Sequence, residues 1–240
     1  MANNFIEKQS FNPSFIGIFF NPFFISRKGL YTAIQRISSS INGKTLDVGC
    51  GTKPYESLFR TDEYIGLEID TTINREKKKV DVFYDGKIFP FESQSFDSII
   101  TNQVFEHVFN PDSFIKEINR VLKNGGNLLL TVPFVWDEHE QPYDFARYSS
   151  FGLSHILNEN GFEIIQSIKS VNNFAVIFQL INAYLYKIVH SVSIIRKIFT
   201  LTVFPFFSIC GLLSSILLPS NNDLYLDNII LARKVKNLSN

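Results

Sequence analysis

The sequence predicts a doubly wound α/β fold built on a mostly parallel sheet, and three observations carry that reading. Residues 45–51, Thr-Leu-Asp-Val-Gly-Cys-Gly, followed by Tyr-Ile-Gly-Leu-Glu-Ile-Asp at 64–70, read as strand, glycine turn and second strand ending in a carboxylate. Leu128–Val132 is apolar apart from one threonine, as a central parallel strand buried on both faces should be. Between and beyond these stretches, strand patterns alternate with helical ones, which a parallel sheet with crossover helices requires.

Taken in order, residues 9–26 lack charge, are rich in Phe, Pro and Asn, and read as an irregular arm. Ser26 is placed to cap a helix with Leu30, Ile34 and Ile37 on one face. Strand one is 44–48, strand two 64–68, strand three a short piece near 80–83, and Phe96–Ile100 strand four. The next helix has Asn110 as its cap, Pro111 as first residue and Phe114, Ile115, Ile118, Val121 and Leu122 as its apolar stripe, with Gly125-Gly126 as the stop. After strand five at 128–132, Ser150 caps a helix running through Leu157 to Gly161. Strand six is 162–168 and a last strand is 224–232. No internal repeat interrupts this pattern.

The first turn selects among cofactors. Gly49 and Gly51 permit a tight turn and close backbone approach to a ligand, and Glu68 falls about 20 residues after the strand-end acid, where such folds grip ribose hydroxyls. Asp47, at the end of strand one, would repel the pyrophosphate of a dinucleotide. It suits S-adenosylmethionine, which carries an ammonium and a sulfonium and no phosphate. Lys53-Pro54 also replaces the third glycine that dinucleotide sites use for close helix–strand packing. A dehydrogenase is therefore disfavoured.

Lys plus Arg and Asp plus Glu number 23 each, so no long polyanion such as nucleic acid is indicated as a partner. Two cysteines make no disulfide framework. With Cys50 in the turn and Cys210 in an apolar run, a reduced, cytoplasmic location is expected. Glu7 in the would-be basic region, and Pro13 and Pro22 in the apolar one, argue against a signal peptide.

With these residues in place, the chain resembles the class I S-adenosylmethionine-dependent methyltransferases of the type 11 group. The resemblance is carried, in that family's order, by Leu46–Gly51, Gly66-Leu67-Glu68, Phe89-Pro90-Phe91, Phe96-Asp97, Glu106-His107, Arg120–Gly126 and Val132-Pro133. It covers roughly residues 40–170 and 224–234. It implies a seven-stranded sheet with helices on both faces and an antiparallel last strand; the apolar residues 174–219 themselves read as a hydrophobic helical insertion between strands six and seven. It also implies a cofactor site of Asp47, Gly49, Cys50, Gly51, Glu68, Ile69, Asp85, Gly86, Asn102 and Glu106, with the glycines beneath the methionine part, Glu68 on the ribose and Asp85 near the adenine. Lys53 stands where many relatives have a further glycine, and Glu68 replaces the commoner aspartate while keeping the charge. The run Val132–Tyr148 resembles a narrower subgroup associated with bacterial surface-polysaccharide biosynthesis.

His139 follows strand five at the carboxyl edge, where ligands of such sheets bind. Methyl transfer from a sulfonium needs alignment and, for a hydroxyl acceptor, removal of a proton. His139 is the candidate base, Asp144 its orienting partner, Arg147 a grip for an anionic part of the acceptor, and His107 a further site-lining candidate. The bland counterpart is a structural loop over 136–148 with solvated charges, and a hydrogen-bonded structural role for His107. The run Asp137-Glu138-His139-Glu140 suggests a metal only superficially, because adjacent residues in one loop rarely converge on one ion; no metal is expected. Arg75–Lys79 reads as a solvated loop.

These assignments divide the chain into an N-terminal arm and helix (1–42), a methyltransferase core (43–171 and 223–234) and a hydrophobic helical insertion (172–222). Residues 198–219 carry no charge and are long enough to span a bilayer. The last strand, however, must return to the sheet, and a hairpin would translocate Arg196 and Lys197 against the positive-inside tendency. A membrane-docking or lipid-facing lid, leaving the sheet at its ligand edge, is preferred over a buried subdomain or homodimer interface, and over spanning. The expected function is methylation of an oxygen on a sugar or lipid-linked glycan precursor, in a protein peripheral to the inner face of the cell membrane. The alternatives are a methyltransferase acting on a lipid or quinone head group, and a non-catalytic cofactor-binding scaffold.

Overall fold

The computed structural model describes residues 8–237, so Glu7, invoked above, lies outside the described residues. The elements are, in chain order, α1 (Phe24–Ile37), β1 (Asn42–Val48), β2 (Arg60–Ile69), α2 (Thr72–Lys77), β3 (Val82–Tyr84), β4 (Phe96–Asn102), α3 (Pro111–Val121), β5 (Leu122–Pro133), α4 (Ser150–Glu159), β6 (Phe162–Lys169), α5 (Ala175–Val189), α6 (Ser193–Leu201), α7 (Val203–Leu217) and β7 (Asp227–Lys234). The seven strands form one sheet in the order β3-β2-β1-β4-β5-β7-β6, with β1 parallel to β2 and β4, β2 to β3 and β4 to β5. The last strand is antiparallel. Hydrogen bonds run from Val235 N–H to the Gly161 carbonyl and between Ser170 and Leu226/Asp227, so β7 descends as β6 ascends. The strand order reverses between β1 and β4, the topological switch point at whose carboxyl edge open α/β sheets bind ligands.

The chain divides into two compact units. One comprises Ile34–Phe134, Glu138–Ile168 and 228–237 and contains most of the sheet. Its core sits where sequence places it: Leu46 and Val48 on β1, Ile99 on β4, Leu128, Leu130 and Val132 on β5, with Phe114, Ile115 and Ile118 of α3 laid against them. Lys234 is buried here, its ammonium donating to the carbonyls of Asn119 (2.6 Å) and Leu122 (2.8 Å) at the C-terminal end of α3, where the helix dipole favours a cation.

The other unit comprises residues 8–33, Val135–Asp137 and Lys169–Asp227. Ile18, Phe24, Ile25 and Ala175 form its small apolar cluster with Val171 and Leu212. Buried amides stitch its helices together. Gln179 accepts from Ser26 N–H (3.1 Å) and donates to the Pro22 carbonyl (3.2 Å); Asn182 donates to the Phe204 carbonyl and to Ser208 Oγ, both at 3.1 Å. Gly211 lets α7 approach closely, because a Cβ there would lie 2.7 Å from Ile25 Cδ1. Pro205 sits in the first turn of α7, where a missing N–H costs nothing, and the break in the apolar run falls instead at Thr202. Ser193–Leu217 is long and apolar enough to cross a membrane by length and composition, yet only 22% of its most apolar window is buried. Phe15, Ile16, Ile194, Phe206, Ile216 and Leu217 are all more than half exposed.

Several helix boundaries differ from expectation. The arm over 9–26 contains a 3-10 helix, Phe15–Phe19, and α1 begins at Phe24, which places Ser26 inside the helix rather than at its cap. Asn110 precedes α3 but makes no side-chain cap, and α3 ends at Val121 because Leu122 is already extended; Gly125-Gly126 lie within β5. The cap of α4 is Ser149, whose Oγ accepts from Gly152 N–H at 3.2 Å, one residue before the expected Ser150. Residues 72–77 form the short α2 instead of a loop, capped by Thr71.

Candidate active site

The turn after β1 is built as its glycines require. Gly49 (φ 73°) and Gly51 (φ 52°) both take the left-handed conformation, and Gly49 N–H donates to the Leu67 carbonyl at 2.9 Å, tying the turn to β2. A Cβ on Gly49 would strike Val104 at 2.3 Å, whereas one on Gly51 would meet nothing within 4 Å. The first glycine is thus demanded by packing, and the second opens onto space a ligand can fill. Lys53 also has a positive φ of 56°, a backbone conformation that glycine adopts without strain, and its ammonium pairs with Asp81.

Asp47 is buried at the end of β1, its Oδ2 accepting from the Tyr64 hydroxyl at 2.7 Å. Burial pushes its carboxyl up to about 7; the Tyr64 hydrogen bond opposes this, while the nearby Glu68 charge adds to it. Glu68, equally buried at the end of β2, accepts from Gly51 N–H (3.3 Å), Ile69 N–H (3.1 Å) and the Lys78 ammonium (2.8 Å). Lys78 and Tyr64 are site residues that sequence reasoning missed. Of the supposed solvated run, Lys78 reaches into the site and Arg75 pairs with Asp70 at 2.6 Å.

Around this centre, Ile69 presents a 44% exposed side chain, and a Cβ on Gly86 would sit 3.7 Å from its Cδ1, so Ile69 and Gly86 flank one apolar surface. Asp85 accepts from the N–H groups of Lys87 (2.9 Å) and Ile88 (3.3 Å); these bonds hold its carboxyl below the usual range and organise the loop after β3. Cys50 is inert: burial and the Asp47 and Glu68 charges push its thiol up to about 12. Asn102 ends β4 as expected, but its Oδ1 accepts from the Thr131 hydroxyl at 2.7 Å, which makes it a link to β5.

The second half of the site is made by the segments after β4 and β5. Glu106, fully buried, lies in the 3-10 turn Phe105–His107, and its backbone carbonyl accepts from Phe145 (2.9 Å) and Ala146 (3.2 Å) N–H groups of the 138–148 loop. Tyr148 stacks on Phe105 at 4.8 Å between centroids, and its carbonyl accepts from Asn228 at 2.8 Å, fixing the far end of that loop. His139 and His107 meet edge to face, 4.8 Å apart. Asp144 receives His139 N–H at 2.9 Å and faces His139 Nδ1 at 3.2 Å, as sequence suggested. Arg147 differs from expectation. Its two terminal nitrogens grip Asp144 at 2.5 and 2.6 Å, so it positions Asp144 rather than being held ready for an anionic acceptor. Burial pushes the Asp144 carboxyl up, but the Arg147 and His139 hydrogen bonds outweigh it and hold the group at about 2.

The acidic run splits: its first two residues turn away from the site, while Glu140 lies 4.0 Å from His107 Nε2. Asp137 faces Lys187 (3.3 Å), Glu138 accepts from Gln141 (3.3 Å), and His139 faces Asp144. The convergent donors come from two segments: Glu106, His107 and His139.

Residues 46–130, which hold the first turn, Glu68 and Glu106, match the type 11 methyltransferase-domain family. A probable S-adenosylmethionine-dependent methyltransferase of Mycolicibacterium smegmatis is 26% identical over 145 residues, covering 54% of this chain and 56% of that protein. The chain carries an S-adenosylmethionine-dependent methyltransferase domain. An uncharacterized protein of Methanocaldococcus jannaschii is 27% identical to this methyltransferase over 143 residues, covering 54% of the chain and 69% of the relative. Two solved structures share its fold: the cyclase SpnF (TM-score 0.57, 19% identity, covering 87% of this chain and 82% of that one) and a Haemonchus contortus phosphoethanolamine N-methyltransferase (TM-score 0.55, 17% identity, 96% and 59%). The methyltransferase site fits its cofactor: it has open space at Gly51, a buried carboxylate at the end of each of the first two strands, and an exposed apolar surface at Ile69.

Proposed function

We propose that this methyltransferase moves a methyl group to an oxygen of a sugar or lipid-linked glycan precursor. The observation that carries the reading is the His139–Asp144–Arg147 chain. A carboxylate clamped by a guanidinium faces Nδ1 of an imidazole, which keeps the proton on that nitrogen and leaves Nε2 as the basic atom. That arrangement suits removal of a hydroxyl proton, which an amine acceptor would not need to the same degree. When bound, S-adenosylmethionine supplies an electrophilic methyl on a cationic sulfur. Gly49–Gly51 and Ile69 would hold it, Glu68 would take the ribose hydroxyls, and Asp47 would offset positive charge. The loop after β3, organised by Asp85 and Gly86, would border the adenine. His139 then accepts the proton that the acceptor oxygen loses.

The exposed apolar surface of the helical unit supports a lipid-bearing acceptor and peripheral contact with the inner face of the cell membrane, with a homodimer as the other means of covering it. The same surface favours a second reading, transfer to a lipid or quinone head group. Methyl-labelled S-adenosylmethionine, incubated with the enzyme and bacterial membranes or soluble nucleotide sugars, separates the readings. The glycan reading predicts label in a base-stable ether on a product whose mild acid hydrolysis releases a methylated sugar. Label confined to a quinone or to a nitrogen would contradict it.

A further inference from the structure

The two segments that follow β4 and β5 bring together three side chains able to ligate a metal. His107 Nε2 lies 3.8 Å and His139 Nε2 3.9 Å from Glu106 Oε1, and the three donor atoms all lie within 4.8 Å of one another. Donors around one tetrahedral ion with ~2.1 Å bonds sit roughly 3.4 Å apart, so the two edges to Glu106 need to contract by about half an ångström and the edge between the histidines by at most roughly 1.4 Å.

The surroundings are those of a prepared ligand set. His107 Nδ1 is 2.8 Å from the Tyr143 carbonyl, which can only accept, so that nitrogen carries the proton and Nε2 keeps its lone pair. His139 Nδ1 faces Asp144 in the same sense, and Asp144 is held by Arg147. Ligating histidines characteristically give their second N–H to a carbonyl or carboxylate in this way. The Glu106 carbonyl, hydrogen-bonded to Phe145 and Ala146, locks the two ligand-bearing segments onto each other, so the geometry exists before any ion arrives.

We propose that Glu106, His107 and His139 bind one divalent first-row transition-metal ion through two imidazoles and one carboxylate. Two nitrogen donors select zinc, manganese, cobalt or iron over magnesium and calcium, which prefer all-oxygen shells. Three protein ligands leave coordination positions for an acceptor oxygen, whose hydroxyl the ion would polarise. That purpose rests on the oxygen-methylation reading, with His139 then a ligand and not the base; the metal site itself does not.

The test uses the tag-free full chain, stripped with EDTA and titrated with Zn²⁺, Mn²⁺ and Mg²⁺ by calorimetry and with Co²⁺ by visible absorption. One equivalent of zinc, manganese or cobalt should bind at micromolar affinity or tighter, with magnesium at least 100-fold weaker. His107→Ala, His139→Ala and Glu106→Gln should each weaken binding more than tenfold, and Asp144→Asn by about 10–100-fold, as expected for an orienting partner. A cooperative thermal melt and a far-UV circular dichroism spectrum matching the wild type show that each variant has folded. Absence of binding, or binding that survives all three ligand substitutions, overturns the proposal. Where that result is joined by full turnover of the EDTA-treated enzyme and its loss in His139→Ala, the base reading stands in the metal's place.

Discussion

Asp47 and Asp144 are two largely buried aspartates in one unit, and their carboxyls are driven in opposite directions. Asp47, with a tyrosine hydroxyl for a partner and Glu68 nearby, is raised to about 7. Asp144, with a bidentate arginine, is held at about 2. Burial penalises both charges, so the partner decides the outcome: a neutral donor leaves most of the desolvation cost standing, and a guanidinium more than offsets it. At the cofactor end Glu68 already has the Lys78 ammonium, and it is Asp47 that is incomplete without a cationic ligand. Asp144 has its cation in Arg147 and is already set.

The largest expected effect tests the acceptor end. His139→Ala should lower turnover by roughly 10²–10⁴-fold with cofactor affinity nearly unchanged, measured by steady-state kinetics beside S-adenosylhomocysteine calorimetry. Loss of cofactor binding in that variant would make His139 structural and erase the division between the two ends. Arg147→Met removes the cation that sets Asp144 and should cost about 10–100-fold in turnover, again with cofactor affinity preserved. A wild-type rate would show that the clamp is incidental.

The cofactor end was the more legible of the two in the sequence. Gly49, Gly51 and Glu68 are local signals: positive φ and strand spacing belong to single short segments, and the fold class follows from the same periodicities. Tyr64 and Lys78 were not legible, because each meets its carboxylate only after β1 and β2 have paired and α2 has turned Lys78 back. The Glu106–His139 convergence was hidden for the same reason. It depends on β4 and β5 being neighbours, so that the 31 residues between His107 and His139 bring two segments to one edge. Serine caps failed by three residues at Ser26 and by one at Ser150 because a neighbouring residue could start the helix equally well. That correction carries the smallest prediction: Ser149→Ala should cost about 1 kcal/mol in chemical denaturation, while Asn110→Ala, which removes no cap, should be near neutral.

The pH dependence of cofactor binding tests the central claim most directly, because it asks whether the raised Asp47 carboxyl is completed by a cationic ligand. A cation favours ionised Asp47, so below its free-protein value of about 7 the group must release a proton when S-adenosylmethionine binds. Calorimetry from pH 5.5 to 8.5 without acceptor should show affinity rising by up to about tenfold per pH unit toward 7 and levelling above it. Asp47→Asn should bind at least tenfold more weakly at pH 8 with that slope abolished, and NAD should not bind the wild type at all. A flat wild-type profile, an Asp47→Asn protein of unchanged affinity, or NAD binding as tight as that of S-adenosylmethionine would contradict the account.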